Sequence, residues 1–194
     1  GLVYEGRKEL MDDDKAVFAQ STDQRSLAEA IVGADIFLGL SAGGVLKKEM
    51  VARMNPNPVI FALANPTPEI LPEEVKEVRS DAIIATGRTD YPNQINNVLC
   101  FPYIFRGALD SGATTINIEM EIAAVHAIAE LAQAEQSEVV AAAYAGATLS
   151  FGAEYLIPKP FDPRLMLRIA PAVAQAAASS GVALRPVKDL DAYR

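Results

Sequence analysis

Short apolar runs separated by amphipathic segments dominate the first third of the chain. Residues 36–40 form such a run, and residues 59–63 and 82–85 repeat it, each with the composition of a strand buried on both faces. The intervening residues predict helices over 46–54 and over about 72–79. Strands and helices that alternate at this spacing are typical of a parallel sheet with right-handed crossovers, so the sequence predicts an α/β fold.

Capping residues mark where several helices begin. Ser26 and Glu29 have the spacing of a capping box. Further helices are predicted over 102–109 and 165–180, so the second half of the chain is mostly helical. Asn117 is placed to cap a longer helix, whose apolar side would carry Ile118, Ile122, Val125, Ala129 and Ala132.

Composition and charge exclude several classes of protein. Hydrophobic residues make up 51% and charged residues 22% of the chain, a balance that excludes wholesale disorder. The net charge of −8 argues against a nucleic-acid-binding surface. The one cysteine, Cys100, cannot form an internal disulfide, and the apolar window 139–157 is interrupted by Gly146, Gly152 and Glu154. We expect a soluble cytoplasmic protein with no nucleic-acid or membrane partner.

Three loops follow the predicted strands, at the edge where open parallel sheets bind ligands. The first loop, residues 41–44, has only small side chains, including Ser41 and Gly43, so a cofactor could approach its backbone closely. A tight strand-to-helix turn would use the same residues, and both interpretations stay open.

The second loop, residues 65–69, is stiffened by Pro66 and Pro68. A stiff loop would fix the Asn65 amide, which both donates and accepts hydrogen bonds and suits a carboxamide or carboxylate ligand. The alternative is an Asx turn, in which Asn65 only bonds its own backbone.

The third loop, residues 87–97, carries four carboxamide side chains within five residues: Asn93, Gln94, Asn96 and Asn97. Neutral amides can bind carboxylates or hydroxyls without adding charge. A solvated turn is the alternative. However, Asn96 and Asn97 precede an apolar run, where unpaired amides are costly.

Other candidate residues favour structural roles. His126 is a lone histidine within a predicted helix, and Cys100 lies in an apolar run. Asp12, Asp13 and Asp14 are consecutive and lack the alternating spacing of metal ligands. We interpret these residues as surface or core positions.

Long strings in and after the second and third loops point to a known family. They are FALANPTPE at 61–69, ATGRTDYPNQINNVL at 85–99 and FPYIFRGALD at 101–110. Together they closely resemble bacterial malic enzymes. The resemblance extends over nearly the whole chain, because shorter stretches are also similar to that family, at 1–7, 39–44 and 158–163.

The resemblance implies the conversion of malate to pyruvate and CO₂ with NAD⁺ or NADP⁺ and Mg²⁺ or Mn²⁺. Hydride transfer from the malate C2 would precede loss of CO₂, as the metal stabilises the enolate. Asn65 would contact the nicotinamide side of the cofactor and the adjacent substrate. Asn96 and Asn97 would face the substrate carboxylate and the nicotinamide carboxamide, and Ser41 and Gly43 would lie against the cofactor.

The resemblance also implies which groups lie outside this sequence. In the family, the general-base lysine, the proton-donating tyrosine, the metal carboxylates and the glycine-rich phosphate loop precede the position of Gly1. We therefore expect a Rossmann-like sheet without its first strand over about 1–115, and a helical segment over about 116–194. No residue here is assigned as catalytic or as a metal ligand, including Tyr4, Lys15, Lys47, Lys48 and Tyr91.

Without a first strand, the edge of the strand at 36–40 would be open. We expect a partner to cover it, either an N-terminal half or further copies of the chain. The implied function is thus part of a malic enzyme, inactive as this chain alone. The alternatives are a non-catalytic nucleotide-binding or oligomerisation module, and a dehydrogenase of similar fold for another small acid.

Overall fold

The computed structural model describes residues 1–135 and 150–194, which divide into two units, Gly1–Thr86 and Gly87–Arg194. The expected end of the nucleotide-binding region near residue 115 lies inside the second unit and stays a prediction. The apolar window 139–157 lies mostly outside the described residues. In the described part of the chain, no helix combines the length and the apolar character needed to cross a membrane.

Three parallel strands form the sheet of the first unit. They are β1 (Ile36–Gly39), β2 (Val59–Ala62) and β3 (Ile83–Thr86), in the order β1-β2-β3. Both neighbouring pairs are parallel, which confirms the predicted α/β class. Among the described residues β1 lies at an edge of the sheet, as expected for the strand at 36–40.

Four short helices accompany this sheet: α1 (Asp13–Ala16), α2 (Leu27–Ala30), α3 (Lys48–Val51) and α4 (Pro72–Val78). The predicted capping box is present before α2, where the Ser26 side chain accepts from the Glu29 amide and the Glu29 carboxylate accepts from the Ser26 amide. α3 is shorter than the predicted helix over 46–54. The Leu46 amide donates to the Glu69 carbonyl oxygen (3.1 Å), which keeps Leu46 in the preceding loop.

The core of the first unit lies on one face of the sheet. Phe37 and Ile60 are buried there, in one cluster with apolar residues of α3 and α4. Ile36 and Leu38 point to the other face, because side chains alternate along a strand, and they are 64% and 59% exposed. The prediction that the run at 36–40 is buried on both faces is therefore wrong, since one face of β1 is open to solvent.

Helices build the second unit: the 3₁₀ helix Asn97–Leu99, α5 (Phe101–Asp110), α6 (Ile118–Gln133), α7 (Arg164–Ser179) and α8 (Leu190–Tyr193). α7 packs against both α5 and α6. α5 and α7 approach closely at Gly107, where an added Cβ would lie 2.5 Å from the Ala170 carbonyl oxygen. Asn117 caps α6 as predicted, and its side chain accepts from the Met120 amide at 3.1 Å.

Most of the apolar side predicted for α6 is exposed, although Ala132 of that side is buried. Ile118, Ile122 and Val125 are each about half exposed or more. The core of the second unit instead receives the opposite side of the helix, with Met120, Ala124, Ala127 and Leu131. The spacing of the apolar residues correctly predicts a helix here, but it does not indicate which side of the helix is buried.

We predict that the chain purified by itself associates through the open face and edge of β1. Apolar residues on an unpaired strand favour self-pairing, and at physiological salt the net negative charge is screened over about 8 Å. Size-exclusion chromatography with light scattering at tens of micromolar should therefore give a mass above that of one chain. Leu38→Lys should lower that mass.

Val17→Lys is the matched control, since Val17 is also an exposed apolar residue of the first unit but lies outside the sheet. It should leave the association unchanged. A monodisperse monomer of the unsubstituted chain would contradict the prediction.

Candidate functional site

The loops that follow β1 and β2 lie side by side at the carboxyl ends of these parallel strands. They line a groove of about 440 Å³ formed by Ala42, Gly43, Gly44, Ala64, Asn65, Pro66 and Thr67. Open parallel sheets bind their ligands at this edge. Two residues predicted from the sequence, Gly43 and Asn65, line this groove. A third, Ser41, directly precedes Ala42 of the lining.

Gly43 is required by the packing of the two loops. A Cβ at this position would lie 2.8 Å from the Thr67 Cβ and 2.9 Å from the Thr67 carbonyl oxygen. The next residue, Gly44, donates from its amide to the Pro68 carbonyl oxygen at 3.1 Å. A side chain larger than hydrogen at Gly43 would therefore collide with Thr67 and push the two loops apart.

Asn65 is exposed at the groove. Its side-chain amide has no hydrogen-bond partner among residues 1–135 and 150–194, so the Asx turn considered from the sequence is not formed. Its donor and its acceptor are therefore both unused, in a loop that Pro66 and Pro68 stiffen. That arrangement leaves the amide available to a ligand.

Glu69 connects the two loops, and sequence reasoning missed it. The side chain is fully buried. Its Oε1 accepts from the Ser41 amide at 2.8 Å, and its Oε2 accepts from the Ala64 amide at 3.0 Å. The sequence offers one signal, an acidic residue at the end of a proline-rich loop directly before apolar Ile70 and Leu71.

In the second unit, the amide-rich loop is anchored to a distant segment of the chain. Asn93 is buried; its Nδ2 donates to the Ala153 carbonyl oxygen at 2.7 Å, and its Oδ1 accepts from the Leu156 amide at 2.9 Å. The Lys159 ammonium donates to the Pro92 carbonyl oxygen at 2.7 Å. These contacts give Asn93 a structural role and fix the position of the residues that follow it.

Asn96 and Asn97 lie next to each other at the surface of the second unit. The Asn96 Oδ1 accepts from the Val98 amide at 3.0 Å, which caps the 3₁₀ helix Asn97–Leu99. This contact agrees with the turn interpretation for that oxygen and leaves the Asn96 Nδ2 to other partners. Asn97 is exposed, and its side-chain amide has no hydrogen-bond partner in the described part of the chain.

The remaining candidates have the structural roles expected of them. Burial, and to a smaller extent Glu121, raise the pKa of the Cys100 thiol, which disfavours the thiolate needed for nucleophilic attack. His126 is exposed on α6, and the Asp12 carboxylate caps α1. Lys159, which donates to the Pro92 carbonyl oxygen, was not among the candidates; burial lowers the pKa of its ammonium group. Within the described ranges, no three His, Cys, Asp or Glu side chains come together as a metal site.

Comparison with known proteins decides which family these features belong to. The family described as "Malic enzyme, NAD binding domain" matches residues 1–142. This chain belongs to that malic enzyme family. The resemblance inferred from the loop strings is thereby confirmed.

Curated relatives extend the match over the rest of the chain. An NAD-dependent malic enzyme from Rhizobium meliloti is 67% identical over 193 residues, and an NADP-dependent malic enzyme from Escherichia coli is 65% identical over 194 residues. Each alignment covers 100% of this chain but only 25% or 26% of the relative. The chain thus spans about a quarter of the length of these relatives.

Solved malic enzymes share the fold. The crystal structure of the malic enzyme from Entamoeba histolytica matches with a TM-score of 0.77 and 36% identity, over 96% of this chain and 37% of that one. The malic enzyme from Pyrococcus horikoshii matches with a TM-score of 0.71 and 44% identity, over 84% of this chain and 34% of that one. The Rossmann-like fold class expected from the resemblance is confirmed.

We predict that Asn93→Ala destabilises this malic enzyme chain. The substitution removes the two hydrogen bonds that the buried Asn93 side chain makes with the Ala153 carbonyl oxygen and the Leu156 amide, which should lower the free energy of unfolding by about 2 kcal/mol. Urea denaturation measures the change. Asn97→Ala removes an exposed amide of the same loop and should leave the midpoint unchanged; equal midpoints for both variants would contradict the structural role of Asn93.

Proposed function

We propose that this chain supplies the nicotinamide side of the cofactor site and part of the substrate site of an NAD(P)-dependent malic enzyme. That enzyme would convert malate to pyruvate and CO₂. The observation that carries the proposal is the groove between the loops after β1 and β2, which lies within the 1–142 region matched by the malic enzyme NAD-binding family.

The lining of the groove suits the nicotinamide side of a dinucleotide. Its walls are small side chains and backbone, and the absence of a Cβ at Gly43 allows the two loops to pack while a ligand approaches the backbone. When bound, NAD⁺ or NADP⁺ accepts the hydride from the malate C2. The chain's own contribution is to hold and orient the cofactor: the backbone at Ser41 and Gly43 lies against it, and the Asn65 amide bonds to its carboxamide and to the adjacent substrate.

Asn96 and Asn97 are proposed to orient the substrate. Malate is a dianion, and neutral amide donors can hold a carboxylate without adding a charge that must itself be balanced. Asn97 is exposed, and the Nδ2 of Asn96 is not used by its cap contact. Asn97 is also proposed to contact the nicotinamide carboxamide.

The residues described here do not fit the Mg²⁺ or Mn²⁺ of the proposed reaction. Their His, Cys, Asp and Glu side chains form no group of three that could hold a metal ion. We therefore assign no metal-dependent step, general base or proton donor to this chain. Those groups are proposed to come from a partner or from another part of the enzyme, which would also cover the open edge of β1.

Two further parts of the proposal concern the cofactor type and the compartment. Relatives named as NAD-dependent and as NADP-dependent match almost equally well, so we propose NAD(P) without a preference.

Cys100 is a free cysteine, and the described residues have no membrane-spanning helix. Both features suit the cytoplasm.

The function is tested by a chimaeric enzyme. Residues 1–194 replace the matching segment of the Escherichia coli NADP-dependent malic enzyme, which is 65% identical. We expect the chimaera to produce NADPH from malate in the presence of Mg²⁺, because every contact proposed for this segment is retained. The chain alone should produce none, since general acid–base groups and a metal each contribute on the order of a hundredfold or more.

A folded chimaera that binds neither NADP⁺ nor NAD⁺ would contradict the proposal. Malate-dependent NAD(P)H production by the 194-residue chain alone would contradict the assignment of the catalytic groups to another part of the enzyme.

In the chimaera, Asn97→Ala should weaken the use of malate without a loss of stability. It removes hydrogen bonds to a charged ligand, each worth about 1.5–3 kcal/mol, so kcat/KM for malate should fall by about tenfold or more. Asn96→Ala should lower both kcat/KM and the melting temperature, because it also removes the cap of the 3₁₀ helix. Wild-type kcat/KM in both variants would contradict the substrate role of Asn96 and Asn97 and would indicate that they only form a surface turn.

A further inference from the structure

Glu69 occupies an unusual place for a carboxylate in this fold. Its side chain is fully buried, and its two oxygens are divided between two loops: Oε1 accepts from the Ser41 amide and Oε2 from the Ala64 amide. Ser41 directly precedes the small residues on one wall of the groove, and Ala64 directly precedes Asn65 on the other. The carboxylate therefore connects the two loops at residues within or adjacent to the lining of the groove.

The Ser41 and Ala64 amides each require a hydrogen-bond acceptor. A buried carboxylate is costly unless its oxygens are bonded, and here two backbone N–H groups meet the two oxygens. A carboxamide of the same shape has one oxygen and one NH₂ group. Its NH₂ would face a backbone N–H and could not accept from it, so one of the two bonds would be lost.

The backbone around Glu69 reinforces the same connection. The Glu69 carbonyl oxygen accepts from the Leu46 amide, and the Pro68 carbonyl oxygen accepts from the Gly44 amide, both at 3.1 Å. Gly39, the last residue of β1, leaves the space for the side chain, since a Cβ there would lie 2.4 Å from the Glu69 Cδ. The loop after β2 thus holds both ends of the loop after β1, and the Glu69 side chain provides the contact nearest the strands.

We propose that Glu69 is a positioning residue for the cofactor, an inference that rests on the proposed function. Its carboxylate sets the spacing of the two loops, so that the backbone of residues 41–44 and the Asn65 amide can contact one dinucleotide at the same time. Without it, the backbone bonds from Gly44 and Leu46 still join the two loops, but their spacing beside Ser41 and Ala64 is no longer fixed.

The test uses the chimaeric enzyme with Glu69→Gln, which keeps the size of the side chain and removes one acceptor. We expect the dissociation constant for NADPH, followed by its fluorescence, to rise about tenfold or more, together with the KM for NADP⁺. At saturating cofactor, the KM for malate should stay close to that of the unsubstituted enzyme. A purely structural role would lower the melting temperature without this selective change.

Glu74→Gln is the matched control. The Glu74 carboxylate also accepts from a backbone amide, that of Leu71 at 3.2 Å, but it caps the start of α4 and does not touch the groove. Glutamine keeps one acceptor oxygen for that amide, so this substitution removes the charge but should change the melting temperature little and leave the affinity for NADPH unchanged. Glu69→Asp is a second variant that keeps the charge but is one methylene shorter; it should retain the fold and show a smaller rise in the dissociation constant.

Wild-type affinity for NADPH in Glu69→Gln or in Glu69→Asp would overturn the proposal. So would a loss of affinity in Glu74→Gln equal to that in Glu69→Gln, since the effect would then follow from the loss of any carboxylate and not from the position of Glu69. Failure of the unsubstituted chimaera to bind the cofactor would instead overturn the proposed function, and this proposal with it.

Discussion

The carboxylate of Glu69 accepts hydrogen bonds from the backbone amides that follow β1 and β2, and the geometry of the candidate cofactor groove depends on this contact. Parallel strands place their carboxyl ends at one edge of the sheet, but the pairing of the strands ends before the loops begin. The side chain of Glu69 continues the connection where the backbone ladder stops. Gly39 and Gly43 allow the close approach that this requires.

Local signals in the sequence were sufficient for much of the fold. The capping box at Ser26 and Glu29 and the cap at Asn117 depend on residues three positions apart, and both are present in the structure. The strands were placed to within a residue or two for the same reason, since their apolar composition is a local property. The exposed face of β1 was not predictable, because burial depends on what packs against a strand.

The amide-rich loop shows why the candidate site was only partly predictable. Asn93 and Asn97 are the same residue type four positions apart, yet Asn93 is buried and bonds to residues sixty and sixty-three positions away, while Asn97 is exposed. Composition identified the cluster but could not divide it into structural and accessible members. Glu69 was missed for a related reason: its partners are backbone amides, which every residue except proline possesses.

The hydrogen bonds that anchor Asn93 fix the number of residues that its loop can contain. Only Gln94 and Ile95 separate this anchored residue from Asn96, whose side chain caps the following 3₁₀ helix. An added or deleted residue between these two points would displace the chain by about 3.8 Å, more than the length of a hydrogen bond. Side chains at 94 and 95 can therefore vary within the limits of burial, whereas the number of residues between Asn93 and Asn96 cannot. This fixed number of residues determines the position of the Asn97 amide.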